Sequence, residues 1–88
     1  NFFKGGAAVM QLKQMELPGM PLVEIAGEKG VLIENHRGVT AYDSDKICVR
    51  VKFGQICVCG EGLSLAQMSG SCVIICGRIE SVTLLRGR

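Results

Sequence analysis

The chain has 88 residues, with ten basic and eight acidic side chains and a formal charge of +2. That length makes one domain, and the charge is too weak and too scattered for a nucleic-acid surface, which needs a basic stripe interleaved with stacking aromatics. With no Trp, one Tyr and three Phe the core must be aliphatic, and no apolar run approaches the ~18 residues of a membrane-spanning helix.

Residues 1–21 form an N-terminal extension that differs in pattern from the rest of the chain. Ala7 to Glu16 holds helix formers and no breaker, and Val9, Leu12 and Met15 fall at helical spacing. A short amphipathic helix is predicted there, ended by Pro18, Gly19 and Pro21. Two roles fit it: capping an open sheet face, or binding a partner.

From Leu22 onward the period changes to two, and residues 22–88 read as a single β domain. Leu22–Ala26 is a strand, Gly27 to Gly30 a tight turn, and Val31–Ile33 the next strand. Asn35 to Gly38 turns the chain into Val39–Tyr42. After the polar Asp43-Ser44-Asp45 turn, Ile47, Val49, Val51 and Phe53 alternate with Lys46, Cys48, Arg50 and Lys52, so an apolar face opposes a solvated one. Gln55–Cys59 comes next and is expected to break at Gly60-Glu61-Gly62. Leu63–Leu65, then Cys72–Cys76, stopped by Gly77-Arg78, and Ile79–Leu85 complete about eight short strands before a basic tail. The fold class is all-β: a compact antiparallel meander, roll or small sandwich, with a short β-solenoid as the alternative. Tight turns favour hairpins.

Two strands are apolar on both sides. With Ile56, Val58, Val73 and Ile75 facing the core, Cys57, Cys59, Cys72, Ile74 and Cys76 lie on the opposite face. A strand buried on both faces needs a covering layer. Either the N-terminal helix supplies it, or another subunit does, and these five residues are the candidate interface. A self-complementary patch would give a closed homo-oligomer; unlike patches could give a filament.

The five cysteines are odd in number, which argues against a complete disulfide framework and for thiols in a reducing, cytoplasmic setting. Cys57-x-Cys59 and Cys72-x3-Cys76 offer four sulfurs, but the CxxC spacing of structural zinc sites is absent. No metal or other cofactor is expected, and a metal-binding or redox-responsive module on the cysteine face stands as the alternative function. No catalytic residues are expected either. The lone His36 sits in a turn with no motif tying it to a cysteine, and Gly60-Glu61-Gly62 lacks the fuller glycine fingerprint of a phosphate loop.

The densest polar cluster is Glu34-Asn35-His36-Arg37-Gly38. As a turn it is well made, because Asn and Gly both tolerate left-handed backbone and an Asn side chain can bond the backbone two residues on. Its histidine and arginine are then solvated. As a recognition surface, the same two side chains would meet a carboxylate on a partner.

The cluster also carries a resemblance. Val23-Glu24-Ile25, then Ile33-Glu34-Asn35-His36-Arg37-Gly38, then Gly54, Ile56, Val58, Gly60-Glu61 and Leu63, and finally Val73, Ile75, Gly77 and Ile79 resemble the YabP/YqfC sporulation proteins. Met15-Glu16-Leu17-Pro18 ahead of the first strand is similar to the YqfC branch. The resemblance spans Met15 to Leu85 and leaves the cysteines outside the pattern. It implies a role in endospore formation, in the mother-cell cytoplasm, with no enzyme activity. It also implies action alongside a membrane-bound sporulation protein, YqfD.

Overall fold

The computed structural model describes residues 19–87; the helix expected over Ala7 to Glu16 lies outside them. Six strands are present among the described residues: β1 Leu22–Ala26, β2 Gly30–Glu34, β3 Val39–Tyr42, β4 Lys46–Val51, β5 Gly54–Met68 and β6 Cys72–Arg86. They form one sheet in the order β1-β2-β6-β5-β4-β3, and every neighbouring pair is antiparallel. The all-β expectation holds, but the order is neither that of a meander, because β2 pairs with β6 instead of β3, nor that of a solenoid, whose successive turns stack in parallel.

The strands number six rather than about eight because β5 and β6 run through the glycines expected to end them. Their long hairpin keeps its pairing from Gly54↔Arg86 to Met68↔Val73, but the register shifts between Cys59 and Gly60, between Glu61 and Ser64, and between Leu65 and Gln67. Such bulges bend a strand without ending it. The glycines permit the bend. A Cβ on Gly60 would overlap the Arg78 carbonyl, and one on Gly77, at φ 136°, would press on the Gly62 backbone.

The bend folds the sheet onto itself. Hairpin β1–β2 docks on the Cys72–Cys76 half of β6, and hairpin β3–β4 is joined to the Gly54–Cys59 half of β5. In a flat sheet the end of β2 would lie four strand spacings, ~19 Å, from the start of β3. The link from Glu34 to Val39 reaches at most ~18 Å when fully extended, and it is not extended, since Asn35 sits at φ 66°. Only a curled sheet lets the chain cross.

Curling makes the core. Val31 and Ile33 of β2, Ile47, Val49 and Val51 of β4, Ile56, Val58 and Leu63 of β5, and Val73 and Ile75 of β6 form a single buried cluster. These are the inward positions of the two-residue alternation, now facing one another across the fold. The inward parity expected for Ile47, Val49, Val51, Ile56, Val58, Val73 and Ile75 is what the structure has. At the bent end, the Gly60 and Leu63 amides donate to the Asp45 and Ser44 carbonyls, and the Gly77 and Ile79 amides to the Lys29 and Glu28 carbonyls. At the open end lie the Ser69–Ser71 tip, Arg37, Arg50 and the Gly54↔Arg86 pair.

Candidate functional site

The polar cluster is the clasp that closes the open end. β2 ends at Glu34, whose side chain is exposed. Asn35 then takes the left-handed backbone at φ 66°, and its amide donates to the Ser71 carbonyl at 2.6 Å. Its side-chain Nδ2 donates to the Met20 carbonyl at 2.8 Å, so it ties down the entry to β1 rather than bonding the backbone two residues on. Asn tolerates this conformation better than most residues do.

His36 differs from the expectation of a solvated ring. It is 6% exposed and is the buried polar side chain of the described residues. The Gly38 amide donates to Nδ1 at 3.0 Å. Nδ1 is therefore an acceptor, and Nε2 carries the proton and donates to the Ser69 carbonyl at 2.9 Å. Both ring nitrogens are satisfied by backbone, as burial demands, and the one free lone pair of the ring, on Nδ1, is occupied by the Gly38 amide. The ring joins the β2–β3 link to the tip of the β5–β6 hairpin.

Arg37 and Gly38 then engage the other half of the sheet. The Arg37 amide donates to the Arg50 carbonyl at 2.7 Å, and the Arg50 amide to the Gly38 carbonyl at 2.8 Å. Gly38 sits at φ 122°. Within four residues the chain is thus bonded to Ser71 on one side of the fold and Arg50 on the other. Asn35 and Gly38 both take positive φ, and the link they form is a clasp between the two halves.

Arg37's side chain is exposed and borders an open groove of about 630 Å³ with Arg50, Lys52, Phe53 and Arg86. The Arg86 guanidinium lies 5.7 Å from the Phe53 ring centroid, within cation–π range. Among the described residues no carboxylate side chain lines the groove. In the sequence, Arg50 and Lys52 read as the solvated face of a strand, and Arg86 as tail. Only the fold brings Arg37 and Arg86 to them.

The five outer-face residues do not form one patch. Cys57 lies directly across from Cys48 in the β4–β5 register; their Cα atoms are 4.1 Å apart and a disulfide joins them. Both are buried. This corrects the expectation that the cysteines are all thiols and removes Cys57 from the exposed face. Cys59, Cys72 and Cys76 are free and half-buried. Cys59 pairs with Ser81, on the far side of the bend from Cys72, Ile74 and Cys76. The last two border a second groove, about 740 Å³, with Leu32 and the edge strand β1. Among the described residues no group of three or more His, Cys, Asp or Glu is placed to hold a metal ion, and no helix is long and apolar enough to cross a membrane.

The family model named YabP matches residues 20–88. The chain belongs to the YabP family. That match begins where the described fold begins and covers every strand of it, including the clasp. No curated protein and no solved structure matches the chain.

Proposed function

We propose that this YabP-family chain is a non-enzymatic sporulation protein. In this reading it acts by self-assembly, or by binding a membrane-associated partner, during endospore formation. The family's name and the resemblance of the clasp region support a sporulation role. The reading places the chain in the YqfC branch, in the mother-cell cytoplasm, with a YqfD-like membrane protein as the partner.

The observation that carries assembly is β1. It is an edge strand of the sheet, five residues long with no Pro, no Lys and no register shift against β2. Among the described residues no strand pairs with its outer edge, and backbone left so is a template for another chain unless it is guarded. The opposite edge, β3, is interrupted by a bulge between Val39 and Ala41. Beside β1, Leu22 and Ile25 are exposed, and Leu32, Ile74 and Cys76 continue the apolar surface. A surface of that composition is expected to be covered by protein.

Ile74→Asp tests the reading. In a sporulating bacterium, the variant is expected to accumulate as folded protein and to lower spore yield, and in vitro to lose assembly or partner capture. Normal sporulation with a folded Ile74→Asp protein would count against it. The Cys48–Cys57 disulfide favours a second reading, a redox-responsive module. That reading requires assembly or partner binding to change when the bond is reduced.

A further inference from the structure

We infer that the basic open end of one copy receives the acidic bent end of another, so that the chain assembles head to tail. The pairing rests on the self-assembly reading and names its two surfaces.

Most charges of the described residues are sorted by the fold, although Glu34 stands exposed at the open end outside the groove. At the open end Arg37, Arg50, Lys52 and Arg86 border one groove without a carboxylate. At the bent end are the turn Asp43-Ser44-Asp45 and Glu28, with Glu61 and Glu80 beside them. Arg78 there is already held by Glu61, at 3.1 Å; Lys29 and Lys46 are the remaining bases. Asp45 and Glu28 are fixed in a single cross-sheet row. The Gly60 amide donates to the Asp45 carbonyl at 3.1 Å, the Ile79 amide to the Glu28 carbonyl at 2.8 Å, and Gly60 pairs with Ile79. The acidic side chains therefore sit on a rigid edge about three strand spacings, or ~14 Å, across. The basic groove likewise spans β4, β5 and the end of β6.

The two ends cannot neutralise each other within one molecule. Gly54 and Gly60 are six residues apart along β5, which is ~20 Å of strand. The screening length at physiological salt is ~8 Å. Each end is therefore free to find its opposite on another copy. The concave groove suits a projecting turn better than the flat plane of a membrane. Because the two surfaces differ, the contact is heterologous and closes into a ring or runs on as a filament.

Charge exchange tests this with the full chain. One variant carries Arg50→Glu with Lys52→Glu; the other carries Glu28→Lys with Asp45→Lys. All four side chains are exposed. Wild-type protein is expected to show a mass distribution above the monomer by light scattering in low salt. It should fall toward the monomer at about 0.5 M NaCl, where screening is shorter than ~5 Å. Each variant alone should be monomeric: Arg50→Glu with Lys52→Glu cancels the groove's remaining Arg37 and Arg86 charges, and Glu28→Lys with Asp45→Lys turns the bent end basic. Their equimolar mixture should rise from monomer to a one-to-one pair, because the intact acidic end of the first variant meets the intact basic groove of the second, while the two altered ends have no opposite charge to meet. Pair formation also shows that both fold; if the basic-end variant is unfolded by circular dichroism, Arg50→Gln with Lys52→Gln replaces it, and if the acidic-end variant is, Glu28→Gln with Asp45→Asn replaces it, each expected to weaken assembly in the same direction. The inference fails if either folded variant assembles as wild type does, or if the folded mixture stays monomeric. It also fails if the basic-end variant loses only its binding to phosphatidylglycerol vesicles, which would make the groove a lipid site. A wild-type chain that is monomeric in low salt would overturn the self-assembly reading as well, whereas assembly that ignores these charges overturns only the head-to-tail arrangement.

Discussion

The His36 imidazole donates from Nε2 to the carbonyl of Ser69, 33 residues away in the chain and 2.9 Å away in space. Its other nitrogen accepts from the Gly38 amide. One buried ring thus holds the β2–β3 link against the tip of the longest hairpin. His36→Ala would leave the Ser69 carbonyl and the Gly38 amide without these partners. The expected loss is about 1–3 kcal/mol, measured by urea unfolding. An unchanged midpoint and slope would show that the clasp contributes nothing.

The glycines should separate by mechanism. At Gly38, nothing lies within 4 Å of an added Cβ, so Gly38→Ala meets only the backbone preference against φ 122° and should cost about 1 kcal/mol. At Gly60, an added Cβ runs into the Arg78 backbone, so the β5–β6 spacing must open. Gly60→Ala should cost about 3 kcal/mol or more. Equal losses in the two variants would mean the bend is looser than the register implies.

Reduction should loosen the second half of the sheet. The Cys48–Cys57 bond closes a loop of sequence separation 9, for which chain-entropy arguments give up to about 3 kcal/mol. Added dithiothreitol should lower the unfolding midpoint by that scale. Cys48→Ala with Cys57→Ala should lower it similarly and remove the dependence on reductant. The double variant retaining a dithiothreitol response would assign the effect to Cys59, Cys72 or Cys76 instead.

Adjacent residues on β6 should behave oppositely. Val73 is fully buried in the core, whereas Ile74 is half-buried on the outer face. Val73→Asp places a carboxylate among aliphatic side chains and should prevent folding at room temperature. Ile74→Asp should preserve the monomer fold, with its strand circular dichroism intact. Loss of fold in both would mean that the outer face is covered within a single chain.

Much of the architecture was legible because alternation is local. The parity that buries Ile47, Val49 and Val51, and separately Val73 and Ile75, can be read from successive residues. Asn35 and Gly38 announced a turn through their backbone tolerance. Strand count was less legible, since Gly60-Glu61-Gly62 and Gly77-Arg78 look the same whether they end a strand or bulge it. Their outcome depends on whether the partner strand resumes pairing beyond them, which it does at Ser64↔Cys76.

The sequence by itself determined the all-β class, the inward residues of β4 and of the Ile56–Val58 and Val73–Ile75 stretches, and the family of the chain, because each rests on residue type and short-range order. Tertiary structure decided the rest. It buried His36, paired Cys48 with Cys57, split the outer face across the bend, and gathered Arg37, Arg50, Lys52 and Arg86 at one end. Each of those joins residues from different strands, and their meeting depends on how the long hairpin bends and which strand lies beside which.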